Sequence, residues 1–151
     1  MRIATILALA TLTLAACSPD GEAAIDGTYA LTAETTAEST IPDYQPDENG
    51  EGIVQTDVVT VETDGPYVTM TFRDADALVT GFRRGSTVEL TAGNTERSIW
   101  YELQWSGADR FDGSLRRTEG EDRIHATIEA TRVAADATSE GTATDLFAVP
   151  D

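Results

Sequence analysis

The chain predicts an all-β fold: an eight-stranded antiparallel up-and-down meander closed into a small β-barrel. Three observations predict it. Apolar and polar residues alternate with period two over most of the chain after Cys17. Thr, Val, Ile and aromatics dominate those stretches, and such residues suit half-buried strands. Turn residues punctuate the stretches at short intervals, and connections this short join neighbouring strands antiparallel. No stretch after Cys17 carries a run at helical spacing.

The strands are expected near 25–33, 52–62, 66–73, 77–83, 86–92, 97–105, 109–116 and 123–133. Val68, Met70 and Phe72 alternate with Thr69, Thr71 and Arg73. Ile99, Tyr101, Leu103 and Trp105 alternate with Trp100, Glu102 and Gln104. Ile124, Ala126, Ile128 and Ala130 alternate with His125, Thr127 and Glu129. Asp64-Gly65-Pro66 suits a tight hairpin with Pro66 opening the next strand. Gly85-Ser86, Gly93-Asn94 and Ser106-Gly107 tolerate positive φ. Asp112-Gly113 also has turn chemistry, but it belongs inside a strand, because Phe111, Gly113 and Leu115 then share the inward face. Closure into a barrel removes exposed edges, and eight strands leave room for side chains or one small ligand. A two-layer β-sandwich is the structural alternative.

The amino terminus has a different character. Arg2 is followed by an apolar, uncharged run from Ile3 to Ala16, ending Leu14-Ala15-Ala16-Cys17. Fourteen residues are short for a membrane span, which needs about 20. A basic start, a short apolar run and small residues before a cut site read as a secretory signal peptide. Leu14 to Cys17 resembles the lipobox of bacterial lipoproteins. That resemblance implies cleavage before Cys17 and acylation of its thiol and new amino group with diacylglycerol and a fatty acid such as palmitate. Ser18 follows where, in lipoproteins of this type, Asp retains the protein at the inner membrane. The resemblance thus implies the periplasmic face of the outer membrane. The expected division is a signal peptide at 1–16, a lipidated tether at 17–24, the barrel at 25–133 and a tail at 134–151. The tail is small and polar until Leu146, Phe147 and Val149, and it either docks that apolar end or stays loose.

The chain has 27 acidic residues against 10 basic ones, all arginine, for a net charge of −17. Such acidity argues against nucleic acid and anionic headgroups as partners, and it permits cations or basic proteins. Residues 18–72 hold 12 acids and no base. In an up-and-down meander, the connections 34–51, 74–76, 93–96 and 117–122 share one end. Glu34, Glu38, Asp43, Asp47, Glu48 and Glu51 would gather there with Asp74, Asp76, Glu96, Glu119, Glu121 and Asp122. The opposite end receives the tether, which at about 3.5 Å per residue reaches about 25 Å from the lipid. The acidic end is therefore expected to face away from the anchoring membrane.

The 34–51 connection is longer than most, and long connections are functional or disordered. It reads either as a recognition loop for a basic partner or as a mobile acidic spacer. Within it, Asp47, Asn49 and Glu51 precede Gly52 at alternate positions, a partial match to the first half of an EF-hand loop. The match ends there: Val58 stands where the twelfth-position Glu would be. Asp47, Asn49 and Glu51 are thus a weak metal candidate, and no cofactor is expected.

Catalytic frames are sparse. His125 is the single histidine, with Glu129 along the same strand face. No nucleophile elbow, zinc-ligand cluster or phosphate loop accompanies it. Arg83-Arg84 and Arg116-Arg117 are expected to balance nearby carboxylates. Gly27-Thr28-Tyr29 opens the first strand and resembles the G-x-W start of lipocalins, with Tyr29 in place of tryptophan. In that family an arginine near the end of the last strand packs across the aromatic, and Arg132 stands in a comparable place. The resemblance implies an up-and-down barrel and carriage of a small apolar ligand. Three functions follow as expectations. The first is a lipid-anchored binding or accessory module that docks envelope proteins through its acidic loops, without catalysis. The second is a lipocalin-like carrier. The third is an enzyme.

Overall fold

The computed structural model describes residues 23–139 and 145–149. The signal peptide and Cys17 lie outside them. Eight strands close into one antiparallel barrel in sequence order. They are β1 Gly27–Thr35, β2 Val54–Asp64, β3 Tyr67–Phe72, β4 Ala77–Arg84, β5 Thr87–Gly93, β6 Arg97–Ser106, β7 Arg110–Glu119 and β8 Asp122–Val133. β8 returns to β1, so no strand edge is left open.

The strands are staggered. Glu62, Thr69, Thr80, Thr91, Trp100, Arg116 and His125 form one continuous row of register partners across β2 to β8. At its two ends the row meets the first-strand line at different heights. Asp26 binds the N–H of Thr63 beside Glu62, whereas the N–H of Thr36 binds the carbonyl of His125. A stagger of this kind tilts the strands by about 40° and draws the wall into a tight cylinder.

The inward positions fill that cylinder. Tyr29, Leu31, Val59, Val61, Met70, Phe72, Val79, Leu90, Tyr101, Leu103, Phe111, Leu115 and Ile128 are all buried in one core. The outward positions are mainly Thr, Glu, Arg and Ser. This is the reverse of a lipid-facing barrel, whose apolar residues point out.

Hairpin chemistry sets the strand ends. Gly65, Gly85 and Gly120 each take positive φ at the first position of a two-residue connection. That is the glycine-first turn whose twist matches the flanking strands. Pro66 is accordingly the second turn residue rather than the first residue of β3. The β7–β8 connection is shorter than its polar sequence suggests. β7 runs on to Glu119, Glu119 pairs with Asp122, and only Gly120 and Glu121 lie between. Gly113 is inside β7, opposite Leu103.

One end is closed by Tyr29 and its neighbours. The Arg132 guanidinium lies 5.0 Å from the centre of the Tyr29 ring and donates to its hydroxyl at 2.9 Å. It also donates to the carbonyls of Asp26 and Ala108. Trp105 Nε1 donates to the same hydroxyl at 3.2 Å, and Phe111 packs 4.3 Å from Trp105. Gly27 is needed here, because a Cβ would sit 2.0 Å from Arg132 Nη1.

The tail docks. Arg73 donates to the carbonyls of Ala135 and Ala137, drawing the segment after β8 along the outer wall. On the outward face of β2, Val58 is buried although its neighbour across the ladder, Ala30, is exposed. Leu146 and Phe147 then reach the opposite barrel end, where both are fully buried in the core.

Candidate functional site

The connections β1–β2, β3–β4, β5–β6 and β7–β8 all lie at the end opposite Arg132, as the alternating directions of a closed meander require. The long β1–β2 connection is bonded to the barrel rather than hanging from it. Thr36 and Thr40 N–H groups donate to the carbonyls of His125 and Arg123, extending β1 along β8. Ser39 Oγ accepts from the His125 N–H at 3.0 Å. Pro42–Tyr44 forms a short 3-10 turn, and Ile41 and Tyr44 pack against the core.

In the Asp47, Asn49 and Glu51 segment the Asp47 carboxylate is taken up by the loop's own donors. Asp47 Oδ1 accepts the N–H groups of Asn49 at 2.8 Å and Glu51 at 2.9 Å, and Oδ2 accepts from the Asn49 amide. The carboxylate is the internal cap of an Asx turn. Those donors favour its charged form and hold its pKa below the ordinary carboxylate value. Among the described residues no group of three or more His, Cys, Asp and Glu side chains converges.

His125 has different partners from the one its strand suggests. Glu129 reaches Arg110 at 3.7 Å. His125 Nδ1 instead lies 3.0 Å from Thr36 Oγ1 and 3.7 Å from Glu38. A serine, a histidine and a carboxylate thus meet, but not as a relay. Glu38 and Thr36 share one ring nitrogen, and the hydroxyl of buried Ser39 is bonded to the His125 backbone, not its ring. A general base needs one nitrogen for its orienting acid and the other for the nucleophile.

Under the loops, two charged groups enter the barrel rim. Asp57 points inward from β2 and is buried. Its carboxylate accepts the N–H groups of Val58, Arg73, Asp74 and Ala75 at 2.6 to 3.1 Å, and so holds the β3–β4 turn. Arg117 enters from β7, binds Glu119 and donates to the carbonyl of Asp145. Phe147 stacks on Phe72 at 5.2 Å, and Phe72 lies 5.6 Å from Tyr101. Beneath this cover, Tyr101 Oη and Arg117 Nε are buried without a hydrogen-bond partner among the described residues.

Burial pushes the Tyr101 phenol well above the usual tyrosine value, with the Asp57 charge adding to the shift. Burial also raises Tyr29 and Tyr44. A raised folded pKa means the stabilisation is complete below about pH 10, the ordinary value. It is lost as pH rises past that, because the unfolded chain releases protons that the folded chain keeps. Tyrosinate absorbance during an alkaline titration should therefore show Tyr101 ionising only as circular dichroism reports loss of the barrel. Reversible ionisation of all four tyrosines near pH 10 with the strands intact would contradict this burial.

The loop-bearing end is thus ordered, acidic at its surface and sealed by the chain's own tail. Aromatic side chains gather elsewhere, on the outer wall of β3 to β6. Tyr67 and Phe82 are register partners with ring centres 5.1 Å apart, and both are over half exposed. Trp100 is half exposed across a trough from them. Nothing local in the sequence links this trio, since its members belong to three strands and only the register joins them. No protein-family model, no curated protein and no solved structure matches this chain.

Proposed function

We propose that the protein is a lipid-anchored lipoprotein of the bacterial cell envelope. In this reading it is held through Cys17 at the periplasmic face of the outer membrane. It acts there as a binding or accessory module that docks an envelope protein, without catalysing a reaction. The observation that carries the reading is a lumen filled with side chains beneath an ordered acidic loop end. A filled lumen suits a scaffold, and ordered loops on a rigid scaffold suit recognition. The acidic loops favour a basic partner and steer its approach through the net charge of −17. The tether enters at the Arg132 end, so the loops would face away from the membrane.

The test compares wild type with Cys17→Ala, and with a triple variant Asp43→Asn, Glu48→Gln, Glu51→Gln that spares the turn cap Asp47. Intact mass from envelope fractions should exceed the cleaved chain by acyl groups in the wild type only. A reproducible crosslinked partner should be lost in the triple variant. An unacylated wild type would sink the anchor, and a crosslink indifferent to the three amides would sink the loop surface.

A carrier of a small apolar ligand is the second reading, favoured by the unpartnered Tyr101 Oη and Arg117 Nε under Phe147. It requires Leu146 and Phe147 to leave the barrel mouth. Mass analysis of organic extracts from the natively purified protein should then find one bound species at near-equal molar amount.

A further inference from the structure

The outer wall of β3 to β6 carries a trough of about 560 Å³ that the acidic-loop reading does not use. Its shape follows from the register. Tyr67, Phe82, Glu89 and Glu102 form one row across the four strands, and Thr69, Thr80, Thr91 and Trp100 form the next. The three threonines are small. They leave a depression between the Tyr67–Phe82 pair and Trp100, with the Gly81 backbone in its lining. Leu78 and Val54 are also exposed on the wall, but only Tyr67, Phe82 and Trp100 gather round one trough, the kind of exposed apolar patch that marks an interaction site.

The charges in the trough decide the occupant. Glu89 lines it, and Glu89 and Glu102 are direct register partners. Like charges directly opposite one another on a sheet are destabilising. No described residue pairs with either carboxylate. A cation placed over Glu89 would relieve that repulsion while lying against aromatic faces, which attract cations. A guanidinium suits the place better than an ammonium. It is planar, stacks on rings and offers two parallel donors to one carboxylate. The trough is open along the sheet, so an extended chain can lie in it, with alternate side chains pointing down. Apolar residues two positions from an arginine point the same way and would cover the Tyr67 and Phe82 rings.

We propose that this trough docks an extended, arginine-bearing segment of a basic partner protein, with guanidinium held between Trp100 and Glu89. The site is separate from the acidic loops and stands or falls independently of them.

The test uses the purified mature chain and a labelled Arg-Thr-Leu-Thr-Arg pentapeptide, which puts both arginines and the leucine on one face when extended, read by fluorescence anisotropy at physiological salt. The neutral control replaces each arginine by citrulline. The peptide should bind saturably and the citrulline form at least about tenfold more weakly, since both the cation–π contact and the ion pair are gone. Trp100→Ala and Glu89→Gln should each weaken the peptide by at least about fivefold. Both residues are outward and exposed, and circular dichroism should show an unchanged barrel. The loop variant Asp43→Asn, Glu48→Gln, Glu51→Gln should bind like wild type. Equal binding of the citrulline peptide would overturn the cation requirement. Loss of binding in the loop variant with Trp100→Ala silent would move the peptide to the acidic end and overturn the site. Free argininamide competing as well as the peptide would make this a small-cation site and overturn the docking of a protein segment. Absence of saturable binding would overturn the proposal outright.

Discussion

Replacing Gly113 with valine is expected to prevent the barrel from closing, leaving a chain that is unfolded or destabilised by more than about 4 kcal/mol. Gly113 lies opposite Leu103, and a Cβ there would stand 2.1 Å from the Glu102 carbonyl oxygen and 2.9 Å from Leu103 Cα. Both are backbone atoms of a strand paired on both sides, so neither can step aside without breaking the ladder. Gly81 has the same relation to the Glu89 carbonyl across β4 and β5, at 1.8 Å. Glycine at such points lets a strand bend sharply as the wall curls. The contrast is Gly50, which has open space around it but φ of 83°. Gly50→Ala should cost only about 1–2 kcal/mol, the strain of a left-handed backbone. Urea unfolding of both variants measures the difference. A cooperative Gly113→Val transition within about 1 kcal/mol of Gly50→Ala would show that β7 does not pass the β6 backbone so closely at Gly113.

The alternation of Val68, Met70 and Phe72, or of Ile99, Tyr101 and Leu103, makes the strands legible because one face is buried and the other wet. The barrel ends are where that rule weakens. Arg117 sits on an inward position, opposite Ile99, but reads as loop because it is charged. The strand expected to end near 116 therefore runs on to Glu119, and the connection narrows to two residues. Asp57 is likewise a charge on an inward position, inside the strand expected at 52–62. Its inward carboxylate makes sense only once the N–H groups of Arg73, Asp74 and Ala75 are seen to converge on it, across 16 to 18 residues of chain.

Long-range register hid the candidate surfaces for the same reason. Tyr67, Phe82 and Trp100 each look like an isolated exposed aromatic on its own strand. Only the pairing of Tyr67 with Phe82 and the Thr69–Thr80–Thr91–Trp100 row bring them to one trough. His125 shows the converse failure. Spacing along β8 pointed to Glu129, whereas folding gives Glu129 to Arg110 and His125 to the Thr36–Glu38 segment from the other end of the chain. Gly27, Tyr29 and Arg132 were legible as a set through a resemblance, and here they meet at the closed end of the barrel.

Phe147→Ala is expected to destabilise the protein by about 3–5 kcal/mol, the range for emptying a buried phenylalanine site. Phe147 is fully buried and stacks on Phe72 at the loop-bearing mouth. Among the described residues its segment is bonded to the barrel chiefly by Leu146 N–H to Gln55 and Arg117 to the Asp145 carbonyl. Most of the force holding it is therefore apolar, and removing the ring should free the segment rather than leave a dry hole beneath it. Water would then reach Tyr101 Oη and Arg117 Nε, which now lack partners. Two readouts should move together: lower urea stability, and ionisation of Tyr101 at lower pH, since burial is the main cause of its raised pKa. The eight-stranded signature in circular dichroism should persist, because all eight strands pair without the tail. If stability falls while Tyr101 remains inaccessible to titration, the segment stays seated and the mouth is sealed by more than Phe147. If neither changes, Phe147 does not occupy the mouth in solution, and the lumen beneath is open to a ligand.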